Sequence, residues 1–183
     1  YSENSKVNNT GTINVGTGSI AFYGDNSEIN IGGTVNASNG IMAVGTNNTK
    51  INYTLGNKTT SSLPFMYLLN STADMNGASL IVDNNSLAAY VDGTGSFNNW
   101  STLTLNQGAT GIFGTNTTIN TTAAQNIVSS STGVNGIVVQ DSNVNNAGII
   151  NFSGDNSTGI YSNNNTSPSV LKTVVNSGNI EVT

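Results

Sequence analysis

Histidine, cysteine and arginine are missing from this chain, and only two prolines occur in its 183 residues. Each absence closes a class of chemistry. Without His there is no Ser-His-Asp or Cys-His nucleophile and no His-based zinc site. Without Arg there is no planar guanidinium to clamp a carboxylate or a phosphate. Without Cys no disulfide braces the fold, which suits both the cytosol and bacterial export. Two prolines do not make a polyproline or mucin-like stalk. Charge is scarce as well. Charged residues are 7% of the chain, against roughly 25% in an average globular domain. The net charge is −5, with Lys as the only cation. A nucleic acid or an anionic membrane surface requires a cationic stripe, and none is present. No apolar run approaches the length of a membrane-spanning helix. No basic segment followed by an apolar one opens the chain, so no signal peptide is read, and Tyr1 is expected to begin an excised or processed piece. No phosphate-binding loop or dinucleotide fingerprint is found.

Asn, Ser, Thr and Gly supply the polarity instead, around a repeated phrase. Val-Asn-Asn-Thr-Gly-Thr-Ile-Asn-Val runs from Val7 to Val15. It returns as Val-Asn-Asn-Ala-Gly-Ile-Ile-Asn-Phe at Val144 to Phe152 and as Val-Val-Asn-Ser-Gly-Asn-Ile-Glu-Val at Val174 to Val182. Each copy sets a polar turn ending in Gly before two apolar residues spaced by two, the spacing that points both to one face of a strand. A recurring turn and strand predict a solenoid.

Two strand families interleave. One begins at or next to Gly-Ile: Ser19 to Tyr23, Gly40 to Val44, Gly111 to Gly114, Gly136 to Gln140 and Gly159 to Ser162, with Leu87 to Val91 as a weaker member. The other alternates, as in Ile13 to Val15, Ile29 to Ile31, Ile51 to Leu55 and Leu103 to Leu105. Ile20 to Ile41 is 21 residues, Ile112 to Ile137 is 25 and Ile137 to Ile160 is 23. That period predicts an all-β chain, a right-handed parallel β-helix of about seven or eight coils stacking to roughly 35–40 Å, with these five isoleucines in one register. Gly and β-branched residues interrupt every window long enough for a helix. The alternative is an antiparallel sandwich of short strands, weakened by the shortage of charged edge strands. Residues 1–183 are read as one β-helix segment with an irregular insertion around 56–100. There the coil from Gly56 to Gly77 is too long and contains the apolar Leu63 to Leu69, read as a strand with an inserted loop or as one short helix bulging from one face, and Asp92 to Asn99 is rich in Gly and Asn before Trp100, the single Trp. Insertions in solenoids gather on one face and often bind.

Asn at coil corners tolerates left-handed geometry, and stacked Asn amides form ladders; Asn8, Asn9, Asn145, Asn146 and Asn176 are the candidates. Gly24-Asp25-Asn26-Ser27 recurs as Gly154-Asp155-Asn156-Ser157. One acid per turn is a poor calcium ligand set, and an Asp bonded to amides of its own turn is the simpler role. No metal and no cofactor are expected. Asp83 and Asp92 are the acid pair that a glycan-cleaving enzyme would use across a groove; Thr102-Leu103-Thr104 is a Thr-x-Thr pair of the ice-binding kind, but it does not recur at one position in successive coils as an ice-binding plane requires. Sequons such as Asn36-Ala37-Ser38 follow from composition alone.

The phrases NNTGTINV, NNAGIINF, NSGNIEV and GDNSTGIYSNN resemble passenger-domain repeats of type V autotransporter adhesins, nearest to the very large fusobacterial outer-membrane adhesins of the RadD type. The likeness is strongest at 7–45 and 133–183 and poor at 56–100. It implies a β-helix carried on the cell surface, tethered to the outer membrane by a C-terminal barrel outside these residues, and attaching to host cells or other bacteria through their surface proteins or glycans. On that reading the chain is not an enzyme and has no catalytic residue. Ligand contact is expected at Phe65, Tyr67, Tyr90 and Trp100, with Tyr23 and Tyr161 as further exposed aromatics. The other readings are a β-helix hydrolase or lyase, and a structural spacer that binds nothing.

Overall fold

The computed structural model describes residues 1–37, 39–60, 63–165 and 171–183. Its strands are all parallel to their neighbours and no helix occurs among the described residues. The chain winds as a β-solenoid of about seven turns, visiting three faces in fixed order. Ile20–Asp25 lies on the first face, Glu28–Ile31 on the second and Val35–Ala37 on the third; Ile41–Thr46 then returns to the first. The first face is one continuous sheet of eight strands. The second is a run of five strands followed by one of three, and the third a run of two followed by one of six. The successive turns advance 21 to 25 residues on the first face, as the Gly-Ile spacing predicts.

Parallel pairing lays like residues over one another. On the first face Phe22, Ala43, Met66, Ala89, Ile112, Ile137 and Ile160 form one inward column. On the second, Val7, Ile29, Ile51, Ala73 and Phe97 form another. On the third, Leu80, Leu103, Ile127, Ile150 and Ile180 stack. These columns merge into one core with Trp100, Tyr53 and Phe152 among its largest buried side chains.

The five isoleucines do not share one register. Ile20 pairs with Ile41, Ile112 with Ile137 and Ile137 with Ile160, but Ile112 continues the column of Phe22 and Ala43. The reason is a bend in each strand of the first face. There two consecutive residues are buried, as at Met42-Ala43, Phe65-Met66, Ala88-Ala89 and Gly111-Ile112, so strict alternation fails once per coil. Ile20 and Ile41 precede the bend and look outward; Ile20 is 42% exposed.

The same bend corrects the expected insertion. Phe65 and Met66 occupy the two inward places, Tyr67 looks out and Leu68 looks in, so the apolar run serves both sides of one strand. Met66–Leu69 pairs with Ala43 to Thr46 below and Ala89 to Asp92 above at an offset of 23 residues each way. Asp92 to Asn99 contains the regular strand Ser96–Asn98. The longest coil is the last, where Val144 pairs with Val174, 30 residues on. Ser38, at the end of the sequon quoted above, lies outside the described residues.

Corners carry the polar residues. Among the described residues twelve other than glycine have positive φ, eleven of them Asn and the other Asp141. Seven corners leaving the first face turn on Asn4, Asn26, Asn47, Asn70, Gly93, Asn116 and Asp141. Only Gly, Asn and Asp take this conformation readily. Just past these corners stand the buried hydroxyls of Ser27, Thr49, Ser71, Thr117 and Ser142. The Ser27 amide donates to Thr49 Oγ1 at 3.2 Å, Thr49 to Ser71 Oγ at 3.1 Å and Thr117 to Ser142 Oγ at 3.0 Å. Asn amides bridge successive coils, in the open at Asn30 and Asn145 and in the interior at Asn146. Asn52 donates to Asn30 at 2.6 Å and Asn30 to Asn8 at 2.7 Å; Asn145 donates to Asn120 at 2.9 Å and Asn146 to Asn176 at 2.7 Å. Asn9 differs from the other candidates: it pairs in register with Ile31, and its buried Nδ2 has no partner.

Two predictions test this account. Asn116→Ala forces a Cβ-bearing residue without a polar side chain into left-handed geometry and should cost about 1 kcal/mol, whereas Asn116→Gly should be near neutral; urea unfolding measures both. Tyr53 is fully buried and its hydroxyl has no hydrogen-bond partner. Burial pushes its pKa from 10.0 up to about 12. A raised folded pKa gives stability that is whole below pH 10 and is lost as pH climbs towards 12. Tyr53→Phe should therefore flatten the alkaline fall in stability and raise neutral-pH stability by up to about 1 kcal/mol.

Candidate functional site

The strands of the first face, past their bends, send alternate residues outward in two parallel columns. One column is Tyr23, Val44, Tyr67, Tyr90, Phe113, Val138 and Tyr161. The other is Asp25, Thr46, Leu69, Asp92, Thr115, Gln140 and Asn163. Coil stacking brings the rings together. Tyr67 and Tyr90 have centroids 5.2 Å apart and tilted by 37°, and Tyr90 and Phe113 stack at 5.7 Å and 9°. Tyr1 stacks on Tyr23 at 5.5 Å. The Tyr90 hydroxyl and Thr115 Oγ1 are 2.9 Å apart, a hydrogen bond that ties the aromatic column to its polar neighbour. Beside Phe113 a shallow cleft of about 200 Å³ opens between Pro64, Leu87 and Thr110.

The four expected contact residues divide into two pairs. Tyr67 and Tyr90 lie together on the outer column, half-buried. Phe65 and Trp100 are 4% and 2% exposed and belong to the core, where Phe65 packs edge-on against Tyr53 at 5.6 Å. Their burial is a correction to the expectation of contact. Phe65 sits on the inner side of the bend, and Trp100 fills the interior between the strands Ser96–Asn98 and Thr102–Leu105. Phe113, Val44 and Val138 complete the column and escaped the sequence reading. Their signal is in the Gly-Ile phrases: Phe113, Val138 and Tyr161 each follow the Ile directly.

Asp83 and Asp92 flank the strand Leu87–Asp92, Asp83 before it and Asp92 as its last residue. Asp83 lines a groove of about 330 Å³ with Lys58, Thr60 and Asn36. Lys58 Nζ is bonded to the Val35 carbonyl at 2.8 Å, and the Asp83 carboxylate accepts the Asn84 amide at 2.8 Å. Asp25 does not bond amides of its own turn; its carboxylate accepts the Asn47 side-chain amide of the next coil at 2.6 Å. Among the described residues no three His, Cys, Asp or Glu gather to hold a metal ion. The Thr102 and Thr104 positions are occupied by Asn126 and Val128 in the next coil, so the threonines form no plane.

The geometry defines the class: a three-faced β-solenoid whose longest sheet carries an outward aromatic column. Set against protein-family models, curated proteins and solved structures, the chain matches none of them.

Phe65→Ala and Trp100→Ala should each cost about 3–5 kcal/mol in urea unfolding, as large core truncations do. Tyr67→Ala and Tyr90→Ala should cost less, about 1–2 kcal/mol, because their rings keep one side in water.

Proposed function

We propose that this chain is a non-enzymatic segment of a bacterial surface adhesin passenger, a stiff β-solenoid stalk that attaches its cell to host cells or other bacteria. On this reading it stands outside the cell, held to the outer membrane by a C-terminal barrel beyond these residues. Its partners are surface proteins or glycans. The observation that carries the reading is the outward column of Tyr23, Val44, Tyr67, Tyr90, Phe113, Val138 and Tyr161 on a rigid face. Repeat phrases of the passenger style support it as well. Coil-by-coil repetition offers many weak contacts along one line, and multivalent display turns weak contacts into avidity.

The test is adhesion of the isolated chain. Beads coated with it should retain epithelial cells or bacteria several-fold above beads coated with an inert protein. A triple substitution of Tyr67, Tyr90 and Phe113 to Ser, checked for a preserved fold by circular dichroism, should remove most of the excess. Retention no better than the blank refutes the adhesin reading and leaves the spacer reading standing.

A further inference from the structure

We infer that the first face carries a binding trench for flat, rod-shaped aromatic cations, which lie along the solenoid axis beside the aromatic column. The inference goes beyond the adhesin reading and does not depend on it.

The trench follows from the bend. In a regular strand the side chains on one side are two residues apart, about 7 Å. On the first face two consecutive inward residues, Ala88-Ala89 in one coil and Gly111-Ile112 in the next, separate the outward residues on either side. Leu87 and Tyr90 are therefore three residues apart, as are Pro64 and Tyr67, and Thr110 and Phe113. At a rise of about 3.3 Å per residue the backbones of the two walls stand up to about 10 Å apart. Parallel pairing repeats this gap from coil to coil. Leu87 is in register with Thr110, Tyr67 with Tyr90 and Tyr90 with Phe113. Pro64 lies two residues before Met66 and Leu87 two before Ala89, and Met66 pairs with Ala89, so Pro64 falls against Leu87. The gap is open where these coils meet: the cleft of about 200 Å³ is lined by Pro64, Leu87, Thr110 and Phe113, with Asn85 and Gly108 at the corners that lead into the strands. Leu87 gives way to the smaller Thr110 and Gly108 adds no side chain, so the space stays unfilled.

Shape selects a rod. The Tyr90 and Phe113 rings stack with 9° between their planes, which makes one wall apolar and straight over successive coils. The Tyr90 hydroxyl is bonded to Thr115 on the side away from the trench, so this wall is held in place before a ligand arrives. A narrow apolar trench that runs across coils accepts flat conjugated molecules along its length and turns away branched ones.

Charge selects the sign. The eight strands of this sheet contain Glu3, Asp25 and Asp92 and neither Lys nor Arg. Asp92 ends the strand that carries Leu87 and Tyr90. Every lysine lies elsewhere: Lys6 and Lys50 on the second face, Lys58 on the third, and Lys172 ahead of the second-face strand Val174–Asn176. Such a face draws cations and repels anions, and a cation beside aromatic rings gains further attraction.

Thioflavin T, a cationic rod, and Congo red, an anionic disulfonated one, are the probes. In equilibrium dialysis the wild-type chain, shown by sedimentation to be monomeric at the same concentration, should retain about one thioflavin T per chain, with a rise in its emission. Thr110→Phe places a ring in the trench from an outward position and should lower the affinity about tenfold or more, with an unchanged circular dichroism spectrum. Leu87→Lys, which sets a cation in the trench, should do the same and serves where Thr110→Phe does not fold. Congo red should bind at least about tenfold less tightly than thioflavin T. A monomer that retains no thioflavin T overturns the inference. So does a folded trench variant that retains it as the wild type does, or Congo red bound equally tightly.

Discussion

Parallel backbone hydrogen bonding between successive coils is the constraint on which this molecule depends. Strands inside each sheet are bonded to the coil above and the coil below, at the strand spacing of about 4.8 Å. Residues one period apart are therefore forced into the same environment. That single condition explains why glycines meet carbonyls at Gly33, Gly148 and Gly178, and why Asn, Ser and Thr recur where they do. A polar side chain on such a column finds its partner in its own counterpart one coil away. The Asn8, Asn30 and Asn52 amides are bonded in this way, as are the Ser2 and Ser27 hydroxyls, while the Thr49 and Ser71 hydroxyls accept the backbone amides of Ser27 and Thr49 one coil below. Polar satisfaction by stacking needs little formal charge, which fits a chain with 7% charged residues.

The bend in each first-face strand decides what the surface offers. Where two consecutive residues are buried, as at Phe65-Met66, Ala88-Ala89, Gly111-Ile112 and Gly136-Ile137, the residue that follows stands half-buried on the outer side. Tyr67, Tyr90 and Phe113 then stack because their coils stack, and the stacking holds the rings in line. The result is a narrow ribbon, part aromatic and part aliphatic, beside a column of carboxylates, hydroxyls and amides. Recognition on such a surface is spread along the axis and not concentrated in a pocket.

A solenoid is nearly one-dimensional, so each coil draws its stability from its own packing and from two neighbours. Interior coils have both. The coil ending at Val182 has one, and the exposure of Val174 and Ile180 records the difference.

The repeated phrase and the spacing of Gly-Ile made the solenoid, its period and its coil count legible in the sequence, because both stacking and alternation leave a periodic trace. The corner role of Asn was legible for the same reason: few residues accept left-handed geometry, and eleven of the twelve non-glycine residues that take it are Asn. Register within the coil was not. The Gly-Ile phrase sits two residues later in its strand at Ile112 than at Ile41, and the residues around the two isoleucines do not distinguish the two places. Phe65 and Trp100, expected at a contact surface, are core, while Phe113, which the sequence did not single out, stands half-buried on the outer column. Sequence by itself determined that the chain coils and with what period. Tertiary structure alone decided which side of the wall each aromatic faces, because that depends on where the strand bends over the core, a property of packing between coils and not of any one of them.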